Sequence, residues 1–173
     1  RGCPSLGILP DGSYVAPDEY SAEQNAHPKE DGTAHAQQLI YALLRSVRQS
    51  VDILGVKRVG LTQADVEQLD RFLARVDRGL HTEIYTANAR ANGAWTNPRN
   101  GVHQGDTLLR EWKYATYDVS DDPSHRHLSH LMALYPLSDI GPRSPYFPAA
   151  VNSLRLRGDK ATADRYLAKA REM

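Results

Sequence analysis

Cysteine is nearly absent from this 173-residue chain: Cys3 stands alone near the start, so no disulfide can form within it. No apolar run approaches the roughly 18 residues that a membrane-spanning helix takes. Neither sign of charge is in surplus, with 21 Lys and Arg against 21 Asp and Glu. Nucleic acid and anionic membranes attract proteins with a basic excess, so neither is expected as a partner. A neutral solute such as a sugar suits this balance. No signal peptide is visible and the chain opens at Arg1 rather than Met, so it reads as an excerpt of a longer protein whose compartment it does not reveal.

Residues 1–31 are punctuated by Pro4, Pro10, Pro17 and Pro28 and read as an irregular arm, with a short extended piece at Ser13 to Ala16. From Thr33 the pattern turns helical. Leu39, Ile40, Leu43, Leu44, Val47, Val51 and Leu54 recur at three- and four-residue spacing, and Gly55 supplies a stop. Thr62 opens a second helix, with Asp65 placed for a capping box and Val66, Leu69, Phe72, Leu73 and Val76 as its inner stripe. Gly79 ends it, and the acids and arginines of Asp65 to Arg78 read as a solvated face. The short link from Val56 to Leu61 makes the pair a helical hairpin. Residues 80–107 carry too many Asn, Gly and Pro for a helix and read as a long loop centred on Trp95, either a platform for a sugar ring or a plug into the core. Pro145 then starts a helix closed by Gly158, with Phe147, Ala150, Val151 and Leu154 inward, and a short Ala-rich helix follows over about 160–171.

The densest chemistry lies between Arg110 and Pro136. Ser124 is a good N-cap, Pro136 a stop, and Leu128, Leu131, Met132 and Tyr135 share one helical face. Such a helix carries His125, Arg126 and His127 in its first turn, where free backbone N–H groups favour polar, electron-rich ligands. The pattern H-x-H-x-x-H (His125, His127, His130) beside Asp121 and Asp122 also admits a divalent metal. Residues two apart on a helix diverge, which opposes that reading.

Glu111-Trp112, a short acidic loop and then H-R-H-L-S-H-L resemble the central signature of the α-L-fucosidases of glycoside hydrolase family 95. Tyr20-Ser21-Ala22-Glu23-Gln24 resembles the family's S-P-E-N. Gly32 to Ile40 resembles its G-T-x-x-D-x-Q-I-I, with Ala36 where the family has Asp. Ala149-Ala150-Val151-Asn152-Ser153-Leu154 and Arg157-Gly158-Asp159 resemble its A-A-x-x-S-L and R-G-D. The resemblance implies an all-α fold, in which residues 32–173 form helical hairpins of a six-hairpin α/α barrel with 80–107 as an insertion loop. It implies inverting cleavage of α-linked L-fucose, or related L-galactose, from a glycan. Members of the family are commonly secreted or periplasmic.

Inverting hydrolysis needs a proton donor and a base about 6.5–9.5 Å apart, with water between them. The resemblance places the family's acid and water-holding groups upstream, so no catalytic residue is assigned in this chain and the remainder of the barrel is expected from flanking sequence. It assigns Arg126 and His127 to the sugar hydroxyls, a role for which a guanidinium fork and an imidazole are suited. Glu111 and Trp112 are expected to line the same cavity, the acid pairing with Arg126 or His127, and His130 to orient the ligand-facing groups. No cofactor is called for. The rival to an enzyme is a helical scaffold or carbohydrate-binding remnant without chemistry.

Overall fold

In the computed structural model, the residues described are 6–21, 29–86, 101–116, 127–158 and 168. The longest element is α1, Ala34–Leu54. Thr33 precedes it as expected, although its hydroxyl makes no capping bond. Gly55 follows at φ +83°, its N–H closing on the Val51 carbonyl at 2.8 Å. The inward face is not the expected stripe. Val51 is buried, but Leu39, Leu43 and Leu54 are exposed, and Gln37 and Gln38 take inner positions with Ala34 and Ala42.

The physical reason is hydrogen bonding. Gln37 accepts from Ala16 N at 2.7 Å and donates to the carbonyls of Tyr14 and Asp77. Gln38 accepts from Ala133 N at 2.8 Å and donates to the carbonyls of Gly79 and His130, both at 2.9 Å. Two amides thus satisfy backbone groups of three other segments, which apolar side chains cannot do.

The expected link holds a short helix, α2, Val56–Val59. Helix α3, Gln63–Arg75, opens with the expected capping box: Asp65 N donates to Thr62 Oγ1, and Thr62 N to Asp65 Oδ2. Arg48 meets Asp70 while Gln37 meets Asp77, so the two long helices run antiparallel. Helix α3 stops before Gly79, because Val76 turns extended and Asp77 N donates to the Tyr14 carbonyl at 3.0 Å. Asp77 is accordingly buried, unlike the exposed acids and arginines before it. Gly79 has φ +65°, and a Cβ there would lie 2.6 Å from the Ala34 carbonyl oxygen, so close approach of the turn to α1 requires glycine.

Among the described residues, four short strands qualify the all-α expectation. In the arm, β1 (Gly7–Ile8) pairs with β2 (Tyr14–Val15), inside the extended piece expected there. Beyond α3, β3 (Thr82–Ile84) pairs antiparallel with β4 (Thr107–Leu109), so the ends of the expected loop form a ladder. Trp95 lies outside the described residues. Helix α4, Phe147–Arg157, covers β4: Ser153 Oγ accepts from Leu109 N at 2.8 Å and Asn152 donates to the Thr107 carbonyl. This helix starts at Phe147 with Pro148 in its first turn, two residues later than expected, after a turn over 142–146. The core joins β4 and α4 to the signature segment through Leu109, Leu131, Leu134, Ile140, Ala150 and Leu154. The helix expected over 160–171 falls outside the described residues, apart from 168.

Candidate functional site

The signature segment is not the regular helix its spacing suggests. Among the described residues it runs from His127 into a single 3-10 turn, Ser129–Leu131, and then through tight turns. The α-helical ladder is intercepted by Gln38, whose amide occupies the Ala133 N–H and the His130 carbonyl. Leu131, Ala133 and Leu134 point inward as a result, and Tyr135 is exposed. A tertiary contact overrides local periodicity here.

Glu111 directly follows the β4 edge, where Arg110 N donates to the His81 carbonyl at 2.8 Å. The Glu111 carbonyl accepts from Ala34 N at 3.0 Å, which fixes the residue against the start of α1. Its side chain is fully buried, as is that of its partner Arg157 from the last turn of α4. Oε2 accepts from Arg157 Nη2, while Oε1 accepts from Ser21 Oγ at 2.5 Å and Ser129 Oγ at 2.6 Å. His130, with no exposed surface, couples to both charges, and Trp112, next to Glu111 in the chain, is 1% exposed.

Burial by itself raises the Glu111 carboxyl. Electrostatic coupling to His130 and to the Arg157 guanidinium, with the two hydroxyl donors, outweighs burial and holds it below the usual carboxylate value. For His130, burial and then the Arg157 guanidinium push the imidazole down to about 3, against the opposing pull of Glu111. At neutral pH the permanent charges of the cluster are therefore Glu111 and Arg157, with His130 neutral. An ionised, ion-paired carboxylate is a poor general acid, which needs a raised value and a proton to give.

His127 lies two residues before Ser129 and lines a depression of about 400 Å³ with Ser129, Leu131, Met132, Tyr135 and Leu154. The expectation that Glu111 and Trp112 line the same cavity as His127 is corrected. The walls are mostly apolar, and Glu111 and Trp112 are too deeply buried to present a wall. Arg126 lies outside the described residues, as do His125, Asp121 and Asp122 of the metal alternative. Among the described residues no group of three His, Cys, Asp or Glu side chains is arranged to hold a metal ion.

Ser21, Ser129 and Arg157 were not singled out as site residues, yet each meets Glu111. Each lies inside a motif fragment: Ser21 in S-A-E-Q, Ser129 in H-R-H-L-S-H-L and Arg157 in R-G-D. Three segments distant in sequence thus close on the Glu111 carboxylate. The sequence matches the family model described as glycosyl hydrolase family 95 catalytic domain over residues 7–170. The chain belongs to glycoside hydrolase family 95. A relative named "Probable alpha-fucosidase A", from Aspergillus oryzae (strain ATCC 42149 / RIB 40), is 32% identical over 127 residues. That alignment covers 72% of this chain and 14% of the relative's length, so the chain spans a small part of the family protein it matches.

Proposed function

We propose that this segment is the sugar-contacting part of an inverting glycoside hydrolase that releases α-linked L-fucose from glycans, with Arg126 and His127 on the sugar hydroxyls. The observation that supports this reading is the convergence on Glu111. Ser129 is bonded to Glu111 and the His130 carbonyl to Gln38, two and three residues beyond His127, which lines the depression. A rigid platform below the contact residue is what precise binding of a polyhydroxylated ring requires. Glu111 and Arg157 serve here as positioning groups, and Trp112 and His130 fill the space around them. In the same reading residues 1–31 are an arm, residues 32–173 are part of an α/α barrel with 80–107 as an insertion, and the rest of the barrel comes from flanking sequence. The name of the Aspergillus oryzae relative supports fucose as the sugar. A second reading, a carbohydrate-binding segment without turnover, is favoured for the chain by itself because the ion-paired state of Glu111 suits it poorly as an acid.

Titration of the purified chain with L-fucose in a calorimeter tests the reading. Saturable binding is expected, weakened more than tenfold in Arg126→Ala and in His127→Ala. A folded wild-type chain that gives no saturable heat, or variants that bind as well as wild type, would sink it. Hydrolysis of an aryl α-L-fucoside by the chain is expected to be negligible, since acid and base each contribute about 10²–10⁴-fold. Robust turnover free of contaminant would move a catalytic acid into this segment, onto Glu23 or Glu111.

A further inference from the structure

A second depression, of about 480 Å³, opens where the turn after α3 meets the turn before α4. None of its lining residues belongs to the Glu111 cluster. Arg78, Asp139, Arg143, Ser144 and Tyr146 contribute to its walls. The acid among them is already neutralised, because the Asp139 carboxylate is engaged by Arg45 from α1. Among the described residues, Arg78 and Arg143 have no carboxylate partner. Two positive charges thus face one depression uncompensated.

Arg78 is held at its guanidinium and Arg143 at its backbone. The Arg78 guanidinium lies over the Tyr41 ring, 4.5 Å from its centroid, which leaves the in-plane N–H donors available. Arg143 stands in a turn with Pro142 before it and Pro145 two residues on, closed by Ser144 N donating to the Gly141 carbonyl at 2.9 Å. Ser144 Oγ accepts from Tyr146 N at 3.2 Å, so its own proton is available to a ligand. Guanidinium pairs match carboxylates and sulfates through paired N–H donors. The volume, within the about 300–1,000 Å³ of small-molecule sites, exceeds what a bare ion fills.

We infer that this cleft is a subsite for an acidic carbohydrate residue, a uronate, whose carboxylate is held by Arg78 and Arg143. The oxyanion follows from the arginines; that a sugar carries it rests on the glycosidase reading above.

NMR titration of the 173-residue chain with glucuronate, inorganic sulfate and glucose, at constant ionic strength, tests the inference. Glucuronate is expected to bind saturably, with shifts centred on residues 78 and 141–146, and glucose not to bind. Binding should fall at least tenfold in Arg143→Ala and in Arg78→Ala. Arg143→Lys, which keeps the charge and loses the fork, should fall in between. Circular dichroism checks that each variant is folded. No saturable glucuronate binding by the wild type, or equal binding by the alanine variants, overturns the subsite. Saturable binding of sulfate without glucuronate overturns its carbohydrate assignment. Failure of the fucose reading is separable: it removes L-fucose binding at His127 while glucuronate binding at the arginines remains.

Discussion

Glu111 and Asp77 are both buried carboxylates met by cations, and they are built differently. Asp77 is largely a local staple. Its oxygens accept from Gly79 N at 2.8 Å and His81 Nε2 at 2.9 and 3.0 Å, both within four residues, and Lys113 adds an ammonium. His81 is about a third exposed and Lys113 is partly exposed, so these donors are less cut off from solvent than the Glu111–Arg157 pair. Glu111 draws its donors from positions 21, 129 and 157, and both members of its ion pair are fully buried. One group fixes a turn after a helix; the other ties the arm, the signature segment and helix α4 into one unit. Burial raises both carboxyls and is outweighed in both, at Asp77 by hydrogen bonds from His81, Lys113 and Gly79 and at Glu111 by nearby positive charge. A shift in the same direction therefore says nothing about reach across the fold.

The contrast breaks most visibly under truncation. Glu111→Ala leaves the Arg157 guanidinium buried without its counter-charge, and such losses cost about 3–5 kcal/mol. Arg157→Ala should cost as much, and Glu111→Leu combined with Arg157→Met should recover most of the loss, because an apolar pair of similar volume suits that space. Urea denaturation followed by circular dichroism reads all three. A double variant no better than the singles would mean that the ion pair itself, rather than the avoided unpaired charge, holds the segments together.

Asp77→Ala comes next, at about 1–3 kcal/mol, the cost of leaving donors unsatisfied. His81 and Lys113 can hydrate where Arg157 cannot, so the effect should stay below that of Glu111→Ala. A larger loss at Asp77 than at Glu111 would invert the comparison and make the turn after α3 the linchpin of the chain.

The hairpin of α1 and α3 was legible because it rests on local rules. Gly55 stops α1, and the Thr62–Asp65 box is set by residues three apart. The Glu111 cluster was half legible. Glu111, Trp112, His127 and His130 were singled out from motif density, but the partner that balances the charge, Arg157, is 46 positions from Glu111. No periodicity reports a contact at that separation. Periodicity also misled at the signature segment, where Gln38 takes the backbone groups a helix would use. The same two glutamines rotated the buried face of α1 away from Leu39 and Leu43. Where side-chain amides bond to distant backbone, hydropathy patterns lose their meaning.

Acid should act on the Glu111 side first. Folded His130 is held at about 3 and the unfolded residue near its ordinary 6.5, so between those values the unfolded chain binds the extra proton. Stability then falls as pH drops through that window, by at most about 1.4 kcal/mol per pH unit. His35, lowered by its burial, adds in the same direction. Glu111 and Asp77 are depressed carboxylates, so their stabilisation is present above their unfolded values and is lost only as pH falls through the lower folded ones. Denaturation midpoints measured from pH 7 to 4.5 should therefore decline in the wild type and decline less in His130→Gln. An unchanged slope in that variant would assign the acid sensitivity elsewhere.

The smallest effect belongs at the opposite end of α3. Thr62→Ala removes the cap hydroxyl, at a cost of about 1 kcal/mol. Thirteen residues of helix, roughly 20 Å, separate this cap from the turn that Asp77 holds. Independent sites that far apart add to within about 0.5 kcal/mol, so Thr62→Ala with Asp77→Ala should equal the sum of the singles. Glu111→Ala with Arg157→Ala should fall well short of its sum, since each single already destroys the same pair. This difference in coupling is the sharpest form of the comparison, because it does not depend on the size of any single loss. Additive losses at Glu111 and Arg157 would show that the buried pair is not a unit, and would leave Ser21 and Ser129 as the residues that join the segments.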